Sequence, residues 1–322
     1  MVWLMAALGL VILLFAGDAL VKGAVNLALR IGIPALIVSL TIVAFGTSAP
    51  ELLISIQAAM MGVPGIAMGN VVGSNTANIL LVLGVPALIA VLHTSEHDTR
   101  KSFVVMIAAS ALFIALSFRG VFDWISGVIL LGALALALAD MFRDAKKHKA
   151  LVALQAEGDG VTDDLDDLEG ADPDMPWWKI ILFLVLGLAG LPLGADILVD
   201  SATVIARTFG ISETVIGLTL VAVGTSMPEL ATTVMAVIRR QADVALGNVI
   251  GSNLFNLLAI IGIAAFVAPI PVDRQFLTYD LWVMLAASLL LIPFVFLRQN
   301  IDRIWGVILI VFYVAYVSLM FV

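Results

Sequence analysis

The chain has 322 residues, of which 62% are hydrophobic and 12% are charged, and its mean hydropathy is +1.15. Soluble proteins carry about 25% charged residues, so this composition excludes a soluble enzyme and predicts a polytopic membrane protein. The absence of cysteine excludes thiol catalysis, cysteine-ligated zinc and disulfides. The net charge of −8 arises mainly in one segment, because ten of the 24 acidic residues lie between Asp144 and Asp174.

Apolar runs separated by charged clusters and by Gly or Pro turns predict ten membrane-spanning helices. These spans lie at residues 2–28, 33–60, 66–92, 103–118, 124–142, 177–206, 211–238, 242–268, 277–297 and 302–322. The first run has neither a basic segment before it nor a small-residue cleavage site, so we predict a retained helix rather than a signal peptide. The predicted fold class is therefore an all-α polytopic membrane protein.

The positions of the basic residues predict the orientation of the spans. With the N-terminus outside, 12 of the 16 basic residues fall at cytoplasmic ends and loops, whereas Arg119, Arg207 and Arg274 fall outside. Basic residues are enriched on the cytoplasmic side of a membrane, so we expect both termini outside and residues 143–176 in the cytoplasm. The short loops favour the plasma (inner) membrane of a prokaryote.

The segment 143–176 is acidic and joins two apolar halves. We interpret it as a solvated, flexible linker, because clustered like charges favour solvation or disorder. A regulatory cation sensor is the alternative, although the spacing of the acidic residues does not match an EF-hand loop.

The two halves of the chain contain a repeated sequence. Residues 46–84 align without a gap with residues 224–262, 178 positions later, and 17 of the 39 aligned residues are identical. The repeat unit is a five-span half, residues 1–142 and then 177–322. Because five is odd, the second half must enter the membrane from the opposite side, which predicts two inverted repeats. Such repeats hold a substrate site near the bilayer midplane, between helices interrupted by Gly and Pro.

Each half carries one glutamate within an apolar span, Glu51 in the first and Glu229 in the second. A carboxylate at that depth is costly unless it faces a cavity or a partner, so both are candidate ligands. Pro50 and Pro228 precede them and each removes a backbone donor, which makes nearby carbonyls further candidates. A protonated glutamate hydrogen-bonded between helices is the alternative interpretation.

Polar side chains at regular spacing accompany each glutamate. Thr47 and Ser48, four and three residues before Glu51, would share its face on a continuous helix. The other members are Asn70, Ser74, Asn78, Thr225, Ser226, Asn248, Ser252 and Asn256. All of them offer oxygen and none offers sulfur or imidazole, which suits hard cations such as Ca²⁺ and Na⁺. For any single Ser, Thr or Asn, an interhelical hydrogen bond is the alternative.

The motifs GTSAPE with GNVVGSNTANI, and GTSMPE with GNVIGSNLFN, resemble the two alpha-repeats of the calcium/cation antiporter superfamily, in particular its sodium/calcium exchanger branch. The resemblance implies a core of eight helices, spans 2–5 and 7–10, across which spans 1 and 6 slide. It implies that Glu51 and Glu229 are the principal Ca²⁺ ligands, shared with Na⁺. The further ligands that it implies are Thr47, Ser48, Ser74, Asn78, Thr225, Ser226, Ser252, Asn256 and the backbone carbonyls near Ala44 and Ala222.

The resemblance predicts a secondary active antiporter that extrudes Ca²⁺ in exchange for Na⁺, not an enzyme. We expect no cofactor beyond the transported ions, no nucleic-acid partner, and a monomer that suffices for transport in the lipid bilayer. Asn256 stands where the potassium-dependent branch carries Asp, which argues against potassium co-transport. A Ca²⁺/H⁺ antiporter using the same two glutamates is the main alternative. A channel fits a buried symmetric site less well, and the sequence lacks the phosphate loop of an ATP-driven pump.

Overall fold

The fold is known from a computed structural model, which describes residues 2–94, 99–156, 172, 174–210 and 222–319. Three predicted features fall partly beyond these ranges, among them the end of the predicted tenth span, residues 320–322. The beginning of the predicted seventh span, residues 211–221, lies outside the described residues. So does most of the acidic segment, residues 157–171 and 173.

The described part of the chain is mostly helical in both halves. The helices before the acidic segment are α1 (Val2–Ile31), α2 (Ala35–Thr47), α3 (Ala49–Met60), α4 (Pro64–Ile89), α5 (Arg100–Ser117) and α6 (Trp124–Ala156). Those after it are α7 (Trp177–Thr208), α8 (Ala222–Thr225), α9 (Met227–Ile238), α10 (Ala242–Val267), α11 (Phe276–Phe296) and α12 (Arg303–Leu319). Two short strands, β1 (Val121–Phe122) and β2 (Ile270–Pro271), pair antiparallel between the halves.

Seven of the described helices are long and apolar enough to cross a membrane, and the number is eight if the bent α2–α3 pair forms one span. The helices α9 and α12 are apolar but shorter. The protein is thus a mostly helical, multi-pass membrane protein. One helix runs well beyond its predicted span, because α6 continues to Ala156 rather than ending near residue 142. Residues 143–156 are rich in Ala, Lys and Leu, which have high helix propensity.

The helices α1 and α7 pack against each other with close backbone contact. A Cβ atom added at Gly9 would lie 2.7 Å from the backbone nitrogen of Leu198, and one at Gly194 would lie 2.9 Å from that of Leu13. Small residues permit such an approach between helices in a membrane. The two helices therefore form a tightly packed pair.

The helices α4 and α10 are the most buried of the candidate spans. Each contains a π-helical turn, at Asn78–Val82 in α4 and at Phe255–Ile260 in α10. Helix α10 also approaches α2 closely, since a Cβ atom at Gly251 would lie 2.5 Å from the carbonyl oxygen of Leu40. Turns of the π type within α-helices are common at functional sites, and here they begin at or next to predicted ligands.

Candidate ion-binding site

Two helix breaks form the centre of the candidate site. Ser48 separates α2 from α3 with φ −84° and ψ 7°, and Ser226 separates α8 from α9 with φ −87° and ψ 6°. The α2–α3 pair is bent by 45°. The prediction that Thr47, Ser48 and Glu51 share one continuous helical face is therefore wrong. The physical cause is Pro50, which has no amide hydrogen to continue the α2 hydrogen-bond ladder.

Each break places a carboxylate at the beginning of a helix. Glu51 lies in the first turn of α3, and Glu229 lies in the first turn of α9. The N-terminal end of a helix carries a partial positive charge, which favours a negative side chain there. The last carbonyls of α2 and α8 approach the same breaks and offer partial negative charge. Broken helices therefore bring oxygen ligands and carboxylates together within apolar segments.

Both glutamates are buried, with relative exposures of 1% for Glu51 and 0% for Glu229. They differ in their hydrogen bonds. The Ser48 hydroxyl donates to Oε1 of Glu229 over 3.2 Å, so the first half contributes a donor to the carboxylate of the second. Neither Oε1 nor Oε2 of Glu51 has a hydrogen-bond partner among the described residues.

Thr47 makes the second contact between the halves. Its hydroxyl lies 3.2 Å from Oδ1 of Asn248 and 3.5 Å from Oγ of Ser252. It also lies 3.3 Å from the carbonyl oxygen of Ala44, at the beginning of the last turn of α2. The predicted ligands Thr47, Ser48, Glu229 and Ser252 are thus joined by direct contacts, although about 200 residues separate the two groups in the chain.

Two asparagines support the glutamate-bearing helices in the same way. The Asn70 amide donates to the backbone carbonyl of Glu51 and to the hydroxyl of Ser55, both over 3.0 Å. The Asn248 amide donates to the backbone carbonyl of Glu229 over 3.3 Å and to the hydroxyl of Thr233 over 3.2 Å. These contacts are equivalent after a shift of 178 positions. The two asparagines therefore fix the first turn of α3 on α4 and that of α9 on α10.

Seven buried oxygen atoms of predicted ligands have no hydrogen-bond partner within the described parts of the chain. Two belong to Glu51, and one each belongs to Ser74, Asn78, Ser226, Glu229 and Asn256. Leaving a buried polar atom without a partner costs about 1–3 kcal/mol, and more for a charged group. A bound cation would satisfy these oxygens, which makes the predicted ligand set a candidate ion site.

The ligand chemistry restricts the kind of ion. No group of three or more His, Cys, Asp or Glu side chains in the described ranges could hold a metal ion. A cation would therefore be held by the two carboxylates together with neutral hydroxyl, amide and carbonyl oxygens. Ca²⁺ takes about six to eight oxygen ligands, and transition metals prefer the nitrogen or sulfur ligands that this set lacks.

The remaining predicted ligands are Ala44, Ala222 and Thr225. The carbonyl of Ala44 accepts the backbone N–H of Ser48 over 3.1 Å, so an ion would use its second lone pair. Ala222 and Thr225 are the first and last residues of α8, and the structure describes only the backbone of Ala222. Their role as ligands stays a prediction.

Four buried polar residues at this site were absent from the predicted ligand set, namely Ser55, Thr233, Asn75 and Asn253. Ser55 and Thr233 accept the amides that support the glutamate-bearing helices. Asn75 and Asn253 are the third residues of the two GSN triplets and contact each other. Each pair is 178 positions apart, so the repeat itself contained the signal for both.

Comparison with known proteins gives a consistent family match. The model of the sodium/calcium exchanger protein family matches residues 1–142 and 179–322. Sodium/calcium exchanger MaX1 of Methanosarcina acetivorans is 35% identical, over 99% of this chain and 98% of MaX1. Inner membrane protein YrbG of Escherichia coli is also 35% identical, over 88% of this chain and 85% of YrbG.

The fold also matches solved structures of the sodium-calcium exchanger NCX_Mj. The crystal soaked with zero Na⁺ and Ca²⁺ aligns with a TM-score of 0.81 and 30% identity, covering 98% of this chain and 97% of the other. The crystal soaked with 2.5 mM Na⁺ and 10 mM Sr²⁺ aligns with a TM-score of 0.80 and 30% identity, covering 99% of both chains. The likeness therefore extends over the whole chain.

Proposed function

Because this chain belongs to the sodium/calcium exchanger protein family, we propose that it exchanges Na⁺ for Ca²⁺ at a site built on Glu51 and Glu229. The relatives named as exchangers are transporters and not enzymes. The observation that carries this proposal is the set of seven buried ligand oxygens without partners in the described structure. The energetic cost of leaving them unpaired is offset when a cation binds. The transported ions are the only ligands that the function requires.

The proposed architecture is ten spans in two inverted five-helix repeats, residues 1–142 and 177–322, with residues 143–176 as a cytoplasmic linker and both termini outside. Contacts that recur after 178 positions support it. Asn70 and Asn248 make equivalent pairs of hydrogen bonds, and the Asn75 and Asn253 amides donate to each other's backbone carbonyls. One chain contains both halves of the site, so we expect a monomer to be sufficient.

The charge of the site provides the basis for exchange. Two carboxylates neutralise one Ca²⁺, and the same oxygens can instead be divided among Na⁺ ions. Binding of one species therefore excludes the other, as antiport requires. We expect the close pair α1–α7 to slide across the other helices when ions neutralise the site. The empty, doubly charged site would resist passing an apolar barrier, which limits uncoupled movement. With an inward Na⁺ gradient, Ca²⁺ would be extruded.

The ion coupling is tested with ⁴⁵Ca²⁺ uptake into proteoliposomes. Vesicles loaded with Na⁺ should accumulate Ca²⁺ when diluted into Na⁺-free medium, whereas K⁺-loaded vesicles should not. A third set carries only an imposed pH gradient. Uptake driven by pH without Na⁺ would contradict Na⁺/Ca²⁺ exchange and assign the chain to proton coupling, and fluxes at channel rates would contradict both.

A further inference from the structure

Asn75 and Asn253 lie where the two halves of the molecule meet. The Asn75 amide donates to the backbone carbonyl of Asn253, and the Asn253 amide donates to that of Asn75, both over 3.4 Å. Each amide also lies 3.8 Å from a methionine sulfur, of Met284 for Asn75 and of Met106 for Asn253. All of these contacts are equivalent after a shift of 178 positions. They relate the halves symmetrically.

One further contact breaks that symmetry. The Asn78 amide donates to Oδ1 of Asn253 over 3.0 Å. The equivalent bond would join the Asn256 amide to Oδ1 of Asn75. In the described structure neither Oδ1 of Asn75 nor either polar atom of Asn256 has a hydrogen-bond partner. All four residues are buried, with relative exposures of at most 1%.

The serines at the helix breaks differ in the same direction. Ser48 donates to Glu229. The equivalent donor for Glu51 would be Ser226, but the Ser226 hydroxyl and both Glu51 oxygens have no partners among the residues described. In both cases a residue of the first half bonds to the second, and the reciprocal bond is not made. The described contacts are therefore asymmetric between two halves of similar sequence.

We propose that Asn75 and Asn253 are positioning residues of an amide switch, in which the Asn78–Asn253 bond of this state is exchanged for an Asn256–Asn75 bond in the state open to the opposite side. The inference rests on the proposed inverted repeat, because exchange of conformation between equal halves yields a second state of similar energy. In each state one of two buried amides, that of Asn78 or that of Asn256, donates its hydrogen bond and the other does not. Neither state is therefore strongly preferred.

The switch affects the ion through the predicted ligands Asn78 and Asn256. An asparagine that donates through its amide nitrogen leaves its own Oδ1 fixed and without a donor, as Asn78 does here. Asn256 makes no such bond, and its amide has no hydrogen-bond partner in the described structure. The ordered amide oxygen would therefore come from Asn78 in one state and from Asn256 in the other.

The experiment compares Asn75→Leu with Asn253→Leu. Each replacement removes one of the two equivalent bonds from a side-chain amide to the partner's backbone carbonyl. The variants therefore differ in the side-chain acceptor that each removes, which is Oδ1 of Asn253, bonded by Asn78, or Oδ1 of Asn75, without a partner in the described structure. Spin labels are attached at Leu4→Cys in α1 and Leu136→Cys in α6, which are 75% and 74% exposed, and the chain has no native cysteine. Double electron–electron resonance then measures the populations of the two α1–α6 distances in ion-free protein.

We expect Asn253→Leu to decrease the population of the observed state and Asn75→Leu to increase it, each by about three- to tenfold in the ratio of states. The double variant should return close to the parent ratio. Shifts in the same direction, no shift, or a single distance in every variant would overturn the switch. Where leucine prevents folding, Asn75→Ala and Asn253→Ala give the same comparison.

The distance measurement does not depend on transport. Na⁺-driven ⁴⁵Ca²⁺ uptake by the parent is measured separately. Uptake without opposite population shifts overturns the switch and leaves the exchange function intact. Opposite shifts without Na⁺-driven uptake overturn Na⁺/Ca²⁺ exchange and leave the switch intact.

Discussion

At the level of single residues, the two carboxylates of the site are chemically alike and differently surrounded. Glu229 accepts a hydrogen bond from Ser48, whereas both oxygens of Glu51 lack partners in the described structure. Glu51 therefore depends more completely on a bound cation for a favourable partner. Removing its charge should weaken ion binding without removing any hydrogen bond to its side chain.

The first prediction concerns Glu51→Gln. Glutamine preserves the size of the side chain but leaves one carboxylate to balance Ca²⁺, so we expect Na⁺-driven ⁴⁵Ca²⁺ uptake to fall by roughly tenfold or more. The matched control is Asp302→Asn, which also removes one negative charge. Asp302 caps α12 by accepting the backbone N–H groups of Ile304 and Trp305, and asparagine can cap a helix in the same way. Equal uptake by the parent and Glu51→Gln would contradict the assignment of this ligand.

The second prediction compares Ser48→Ala with Ser226→Ala in ion-free protein. Alanine at position 48 removes the donor to Glu229, which should lower stability by about 1–3 kcal/mol. Alanine at position 226 removes a hydroxyl that has no partner in the described structure, so its effect should be smaller. Thermal unfolding in sodium-free, calcium-free buffer measures the difference. Equal losses would show that the Ser48–Glu229 bond does not stabilise this state.

At the level of the elements, the sequence predicts the helices better than their breaks. Apolar runs and charged clusters are local signals, and most described helices agree with the predicted spans to within a few residues. The break at Ser48 has a local cause in Pro50, but the local sequence predicts neither its 45° bend nor the close approach of α2 to α10. The helical continuation of α6 to Ala156 arises from propensity rather than from hydropathy.

The candidate site shows the same division between local and tertiary information. Glu51 and Glu229 could be predicted because a carboxylate in an apolar span is conspicuous in the sequence alone. The asymmetry between them could not, because the Ser48–Glu229 contact joins residues that are 181 positions apart. A repeat aligned with itself reveals equivalent positions, whereas the structure reveals which equivalent contacts are made. That difference is the basis of the proposed amide switch.

The third prediction concerns an ion pair between α1 and the end of α9. Asp18 bonds to the side chain of Arg239, and Lys22 lies 3.0 Å from the same carboxylate. The Asp18 and Arg239 side chains are only 18% exposed. Repeat equivalents of Asp18 and Arg239 are Asp196 and Met61, so the second half cannot form the same pair. This ion pair therefore attaches α1 to the other helices asymmetrically.

We expect Asp18→Asn to lower stability by more than about 1 kcal/mol, because it leaves a largely buried arginine without its carboxylate. The control is Asp144→Asn, which weakens an exposed pair with Lys101. Exposed ion pairs contribute about 0–1 kcal/mol, so the control should unfold close to the parent temperature. Equal destabilisation in thermal unfolding would contradict a stabilising role for the Asp18–Arg239 contact.

At the level of the whole molecule, α1 connects several parts of the chain. Its Asn26 accepts the backbone N–H of Asp172 over 2.8 Å, so the acidic segment ends against the helix that we propose to move. The guanidinium carbon Cζ of Arg30, near the end of α1, lies 6.0 Å from the centre of the Trp177 ring at the beginning of α7. The cytoplasmic ends predicted for α1 and α7 are thus held together with the linker. Movement of either helix should move both.

The last prediction tests whether α1 and α7 act as one unit. Alanine at Gly187 would place its Cβ atom 2.5 Å from Cβ and 2.8 Å from Cα of Leu20, so the helices must separate. We expect Gly187→Ala to cost about 1–3 kcal/mol of stability and to slow Na⁺-driven ⁴⁵Ca²⁺ uptake. Gly132→Ala in α6, whose Cβ would meet no described atom within 4 Å, should leave both unchanged or slightly raise stability. If the two variants unfold and transport alike, close packing of α1 on α7 does not govern exchange.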